Sequence, residues 1–226
     1  MAHGARVSAI NNEGLTPIEL TLRGCSNIDI VDAVDVANIL LEAGASKSEQ
    51  CKIFVAKIGQ TFEFSREGFN KDSVDLYSNA LDQLYALFDV KPIARRLNYD
   101  GKSPIIAKAT TWQQQHEELW QMLVPSGGHA STVQGELVRV SGRISREIEG
   151  NGGINWDADF TKMAEHFAQM LKLGLPSPDR DIDEAAQIAK SIKTVEGGSL
   201  RLAQLAVTWV SFNPVPLLLA TVPYKR

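Results

Sequence analysis

Cysteine is nearly absent from this chain: Cys25 and Cys51 are its only two thiols among 226 residues. Two thiols cannot lay down a disulfide framework, so a hydrophobic core has to hold the fold. They fit a reduced, cytoplasmic setting, where a free cysteine serves as a small buried hydrophobe. Long apolar runs are missing as well. The longest, residues 215–222, is interrupted by Pro216 and Thr221, whereas a membrane-spanning helix needs about 20 such residues. The N-terminus shows no basic segment followed by an apolar core, so no secretory signal is expected. The net charge is −4 and no basic stripe appears, which argues against nucleic acid as a partner. Strand alternation is equally scarce. Only Ile105-Ile106 and residues 217–222 read as strand candidates.

What is present is an ordinary globular composition, 44% hydrophobic and 22% charged, with apolar residues recurring at three and four. The expected class is all-α: helix pairs continuing into an irregular helical domain. Helices are expected over 16–23, with Pro17 at the first position, and over 31–42, closed by Gly44. The next should run over 48–59 and end at Gly59, leaving 60–71 as a loop or short helix pinned by Phe62, Phe64 and Phe69. A strong helix follows to Phe88, capped by Asp72 or Ser73. The second half predicts helices from Thr111 or Trp112 to Leu123 and from a Ser131–Gln134 capping box to Glu149. Further helices are expected over 156–173 with Asn155 as cap, over 181–193, and over 200–212. Residues 1–89 then form a first helical segment, 90–111 a connecting segment, and 112–226 a helical C-terminal domain.

The start of the chain carries a family signature. Gly4-Ala5-Arg6, the polar turn Asn11-Asn12-Glu13-Gly14, and Thr16-Pro17-Ile18-Glu19-Leu20 resemble the turn and helix start of an ankyrin repeat, and Leu40-Leu41-Glu42-Ala43-Gly44-Ala45 resembles its ending. The resemblance covers about 45 residues and one repeat, and it implies that the helix pairs of residues 1–89 are a degenerate ankyrin-like segment. The two Gly-Ala turns stand 40 positions apart, from Gly4 to Gly44, against a period of about 33. The excess is expected as a lengthened connection over 24–29. Glu19 stands where the family has a histidine, so the polar link between neighbouring turns has to be made differently. A single helix pair cannot bury its own face. Ile18, Leu22, Ile39 and Leu40 are therefore expected to be covered by the chain's other helices or by another copy. The resemblance implies a protein partner and no cofactor.

Functional side chains are densest over 133–157. Leu137, Val140, Ser141, Ile144 and Ile148 make an apolar stripe, while Glu136, Arg139, Arg143 and Glu147 recur on another face. Gly135 and Gly142 would let a neighbouring element approach closely. Gln134-Gly135-Glu136 with Arg139, followed by Asn151-Gly152-Gly153 and Asn155-Trp156-Asp157, resembles segments of uncharacterised bacterial helical proteins, to which no chemistry attaches. The site predicted from these residues is a polar recognition patch of Glu136, Arg139, Arg143, Asn155, Trp156 and His129, with the two arginines as forks for carboxylate or phosphate. The plain alternative is a solvated face with the i, i+4 series Arg139–Arg143–Glu147 as its ion-pairing residues.

Other motifs are weaker. His116-Glu117-Glu118 lacks the second histidine of a zinc helix, since Trp120 stands four positions on, and no metal site is expected. His3 and His166 read as structural. The loops 126–128 and 150–153 are Gly-rich, but no Lys-Ser/Thr follows either one. Trp112 and Trp120 lie eight apart on one helix face, as core residues do. The leading functional reading is a non-catalytic, cytoplasmic protein-binding module, with an immunity or antitoxin-like role by analogy. Two readings compete with it: an assembly subunit oligomerising through the open repeat edge, and an enzyme using His129, Glu136, Arg139 and Arg143.

Overall fold

The structure, a computed structural model, describes residues 6–226. The Gly4-Ala5 turn and His3 lie outside the described residues. The described residues form nine α-helices, α1 (Pro17–Gly24), α2 (Ile30–Glu42), α3 (Glu49–Ser65), α4 (Val74–Phe88), α5 (Trp112–Leu123), α6 (Val133–Ser145), α7 (Ala158–Met170), α8 (Asp179–Ser191) and α9 (Gly198–Phe212), with a short 3-10 turn at Arg66–Gly68 and a π turn at Arg146–Gly150. No strand occurs among the described residues. Of the two strand candidates, only the second forms a β-bridge, an isolated one between Thr132 and Leu218. The fold is all-α.

The described chain divides into two compact units at the junction of Arg96 and Leu97. In the first unit, α1 packs on α2 and α3, and α4 packs on α2 and α3. Their shared core is built from Ile18, Leu22, Val34, Ala37, Leu40, Cys51, Val55, Phe62, Leu81, Leu84 and Phe88. Thr16 opens α1. The Glu19 carboxylate accepts from its N–H and its hydroxyl, 2.8 Å each, and from the Ser48 hydroxyl at 2.6 Å. These hydrogen bonds, Ser48's foremost, hold the Glu19 carboxyl below its ordinary range. Residues 25–29 join α1 to α2. Ile18, Leu22 and Leu40 are buried by the unit's own helices, whereas Ile39 remains exposed.

One boundary departs from the sequence reading for a clear reason. α3 runs through Gly59 to Ser65 and turns Phe62 into the core. Gly59 does not end the helix. It is the point where another element crosses: a β-carbon there would sit 2.9 Å from the Tyr85 ring of α4 and 2.9 Å from Ile93.

The second unit surrounds α6, which packs against α5, α7 and α9; α8 closes on α7 and α9. Every residue from Val133 to Ser141 is buried. The amphipathic stripe expected of α6 is therefore replaced by a helix buried on all sides. Its cap is Thr132, whose hydroxyl accepts from the Gly135 N–H at 3.1 Å, rather than Ser131. The Ser131 carbonyl instead accepts from the Leu219 N–H at 3.0 Å. α7 is capped by Asp157, which accepts from the Phe160 N–H at 3.0 Å, rather than by Asn155. Gly142 behaves as the sequence suggested. A β-carbon there would overlap the Trp120 ring of α5 and come within 3.2 Å of His116.

Residues 213–226 run beyond α9 without helix and cross α6. Gln134 holds them from within. Its amide nitrogen donates to the carbonyls of Asn213 (2.8 Å) and Val215 (2.7 Å), and its amide oxygen accepts from the Leu217 N–H at 3.1 Å. The Val133 N–H donates to the Leu217 carbonyl at 2.8 Å. Part of the 90–111 segment also belongs to this unit: Ile105 is buried and its N–H donates to the Pro214 carbonyl at 2.8 Å.

Candidate functional site

α6 presents Glu136, Arg139 and Arg143 at spacings of three and four, which places them along one side of the helix. The first two are turned fully inward. Glu136 is wholly inaccessible and Arg139 is 2% exposed. A buried carboxylate and guanidinium are tolerated only when each lone pair and proton finds a partner. Glu136 accepts from Arg139 Nε at 2.8 Å and Nη2 at 2.6 Å, from the Ala130 N–H at 3.0 Å, and from the Tyr224 hydroxyl at 2.8 Å. Burial alone would raise its pKa. The Arg139 fork, the Ala130 amide and Tyr224 outweigh burial and leave the carboxyl below its ordinary range. Tyr224 is driven the other way, first by burial and then by the adjacent carboxylate, so it stays a protonated donor.

Arg139 Nη2 also donates to the Arg226 carbonyl at 2.9 Å and lies 3.1 Å from His129 Nδ1, which accepts when unprotonated. Both His129 and His166 set their rings edge-on to Tyr224, with centroids 5.5 and 5.9 Å away. Burial lowers the pKa of His166. The Arg226 side chain is anchored separately: Nε and Nη2 donate to Asp157 Oδ2 at 2.9 and 2.8 Å, and its guanidinium stands 4.7 Å from the centre of the Phe160 ring. The Trp156 ring stacks on the other partner of that group, Phe160, at 5.1 Å.

Two nitrogens in this cluster stand apart. Arg139 Nη1 is buried with no hydrogen-bond partner among the described residues. The Arg143 side chain is half-buried and, among the described residues, its guanidinium makes no hydrogen bond or ion pair. The sequence offers Glu147 to Arg143 at i, i+4, but the structure does not join them. After Ser145 the α-helix loosens into a single π turn, Arg146–Gly150, and the wider turn carries Glu147 out of register. Glu147 accepts instead from the Asn155 N–H at 2.6 Å and from the side chains of Asn155 (3.3 Å) and Asn151 (3.2 Å). Burial opposes its ionisation, and these donors more than offset that. Arg143 is left beside Arg139 and Arg226. Burial, then those two like charges, depress its pKa.

The six residues of the expected patch thus part company. Glu136 and Arg139 are internal and bonded to the chain's own residues 224 and 226. Asn155 is exposed but serves as the anchor of Glu147, and His129 borders the buried pair. Arg143 and Trp156 are the half-buried, outward-reaching members. Asp157, part of the Asn155-Trp156-Asp157 motif, and His166, read as structural, join the cluster with Tyr224 and Arg226, which the sequence did not single out. Nothing local marks Tyr224, which is 88 positions from Glu136. A separate cleft in this unit, between α5 and α9, is lined by Ile105, Leu119, Val207, Val210 and Pro214 among others, and contains none of the six. Among the described residues no three His, Cys, Asp or Glu side chains gather as metal ligands would, and no helix is long and apolar enough to cross a membrane.

No protein-family model matches this chain, and no curated protein and no solved structure matches it either.

Proposed function

We propose that the chain is a non-catalytic protein-binding module of ankyrin-like type, and that its second unit meets its partner at Arg143 and Trp156, with Asn155 and His129 alongside. The observation that carries this reading is the solitary Arg143. It is a half-buried guanidinium that, among the described residues, makes no hydrogen bond or ion pair. Much of its desolvation is already spent, so a partner's acidic group meets a prepositioned fork. Arginine and tryptophan are also the residue types that dominate binding energy at protein interfaces. The ankyrin-like part is supported by the short helix pair α1 and α2, by Pro17 at the helix start, and by Glu19 bridging Thr16 to Ser48.

The test uses the whole chain as immobilised bait in native lysate, comparing the wild type with Arg143→Gln and with Arg146→Gln, an exposed arginine one turn away. A partner kept by the wild type and Arg146→Gln should be lost by Arg143→Gln. The expected weakening is about 1–3 kcal/mol, the value of a charge-assisted contact. Equal retention by all three baits sinks the reading. If the retained protein is a second copy of this chain, the assembly-subunit reading replaces it.

A further inference from the structure

We propose that Arg143, together with the free Nη1 edge of Arg139, forms a binding site for a single oxyanion, a carboxylate or a phosphate group. The inference deepens the reading of Arg143 as a recognition residue by naming the chemistry it recognises. Three observations lead to it. The first is geometric. Nε and Nη2 of Arg139 form the edge spent on Glu136. In a planar guanidinium Nη1 then lies on the edge turned away from that carboxylate. It is buried and unpartnered, and such a donor costs about 1–3 kcal/mol unless something accepts from it.

The second observation is the spacing. Arg143 follows Arg139 by four on α6, so the two side chains are neighbours on one face. The natural internal acceptor for Arg143, Glu147, has been drawn off by the π turn and satisfied by Asn151 and Asn155. The third is the surrounding charge. Glu136 is neutralised by Arg139, and Asp157 by Arg226. Among the described residues no carboxylate is paired to Arg143; burial first, and then the like charges of Arg139 and Arg226, depress its pKa against the weaker pull of Glu136. A helix that holds two arginines side by side, one with an idle buried donor, is unfavourable alone and favourable around an anion. Forked guanidinium groups bind both planar carboxylates and tetrahedral phosphates through paired N–H donors.

The experiment titrates the full chain with sodium phosphate and, separately, with sodium acetate. Chloride holds ionic strength constant, and binding is followed by thermal midpoint and by calorimetry. The wild type should show a saturable rise in midpoint with at least one oxyanion. Arg143→Gln should weaken that response at least tenfold, and Arg146→Gln should leave it intact. A response to acetate alone identifies a carboxylate as the cognate group, and a response to phosphate alone identifies a phosphate. Without oxyanion, Arg143→Gln should melt no lower than the wild type, because it removes only an unpaired charge. No saturable response to either anion, or an equal response in Arg143→Gln, or a lower midpoint for that variant without ligand, each overturns the proposal. Loss of partner discrimination in the lysate comparison, with the anion response intact, would instead overturn the protein-binding reading and leave the oxyanion site standing.

Discussion

Glu136 shows how a charged residue can be internal and still not be a surface site. Its carboxylate is enclosed by Arg139, Ala130 and Tyr224, so its energetic weight is asymmetric. Arg139→Met alone leaves a buried carboxylate without its counter-charge and should cost about 3–5 kcal/mol, whereas Glu136→Leu with Arg139→Met should be close to neutral. Urea unfolding of the single and double variants measures this, and similar losses in both would refute it. The protonation of the same residues sets the acid limb of stability. Glu136 ionises more readily in the folded chain than its ordinary value of 4.5. The stability it adds is complete above that pH and is lost as pH falls through the lower, folded value. His116 and His166 are half-buried, and that burial makes them take up protons less readily than the ordinary 6.5. The folded state therefore binds fewer protons than the unfolded one below about that pH, and stability starts to fall there. His116→Gln should flatten the upper part of this descent in urea midpoints measured against pH, and an unchanged slope would assign it elsewhere. At this scale the sequence was partly legible. Glu136, Arg139 and Arg143 were picked out by charge and spacing, but their inward or outward aim depends on how many neighbours α6 has, which no local pattern encodes.

Among the elements, periodicity and caps placed the helices well where a helix ends by its own chemistry. Thr111 caps α5 and accepts from the Gln114 N–H, as its hydroxyl predicts, and Pro17 opens α1. The misreadings fall where tertiary contact overrides local preference. Gly59 looks like a stop and is a crossing point. Asn155 looks like a cap and is a ligand of Glu147. The α6 helix was expected to continue to Glu149, and its α-helical part stops at Ser145 because the π turn redirects the chain. Glycine substitution separates the two kinds of position. Gly142→Ala gains helix propensity of up to about 1 kcal/mol but drives a methyl group into Trp120 and His116. The net effect should be a loss of about 1–3 kcal/mol. Gly24→Ala, at the end of α1 with open space around it, should be neutral or stabilising by up to about 1 kcal/mol. Thermal denaturation of both variants decides this, and equal effects would show that the α5–α6 approach is not tight.

Across the whole molecule, each unit carries its own core. Phe62→Ala, in the first, should cost about 3–5 kcal/mol and should raise amide exchange in residues up to 96 before it does so in the second unit. Uniform acceleration through both would mean that the chain unfolds as one block. The helical class was legible from composition and period alone. The crossing of α6 by residues 213–226 was not, because Gln134 and its partners Asn213, Val215 and Leu217 lie 79 to 83 positions apart. That separation has a kinetic meaning. Helices α5 to α9 are built from near-neighbour contacts that form in microseconds to milliseconds, while a strap tied across some eighty positions must wait for its docking surface to exist. The strap should therefore latch after the rate-limiting step. Tyr224→Phe should leave the refolding rate almost unchanged and speed unfolding by the full change in stability, which a chevron plot reads directly. The native unit would then fray from its tail first, exposing the Glu136–Arg139 pair to water long before the helices themselves come apart.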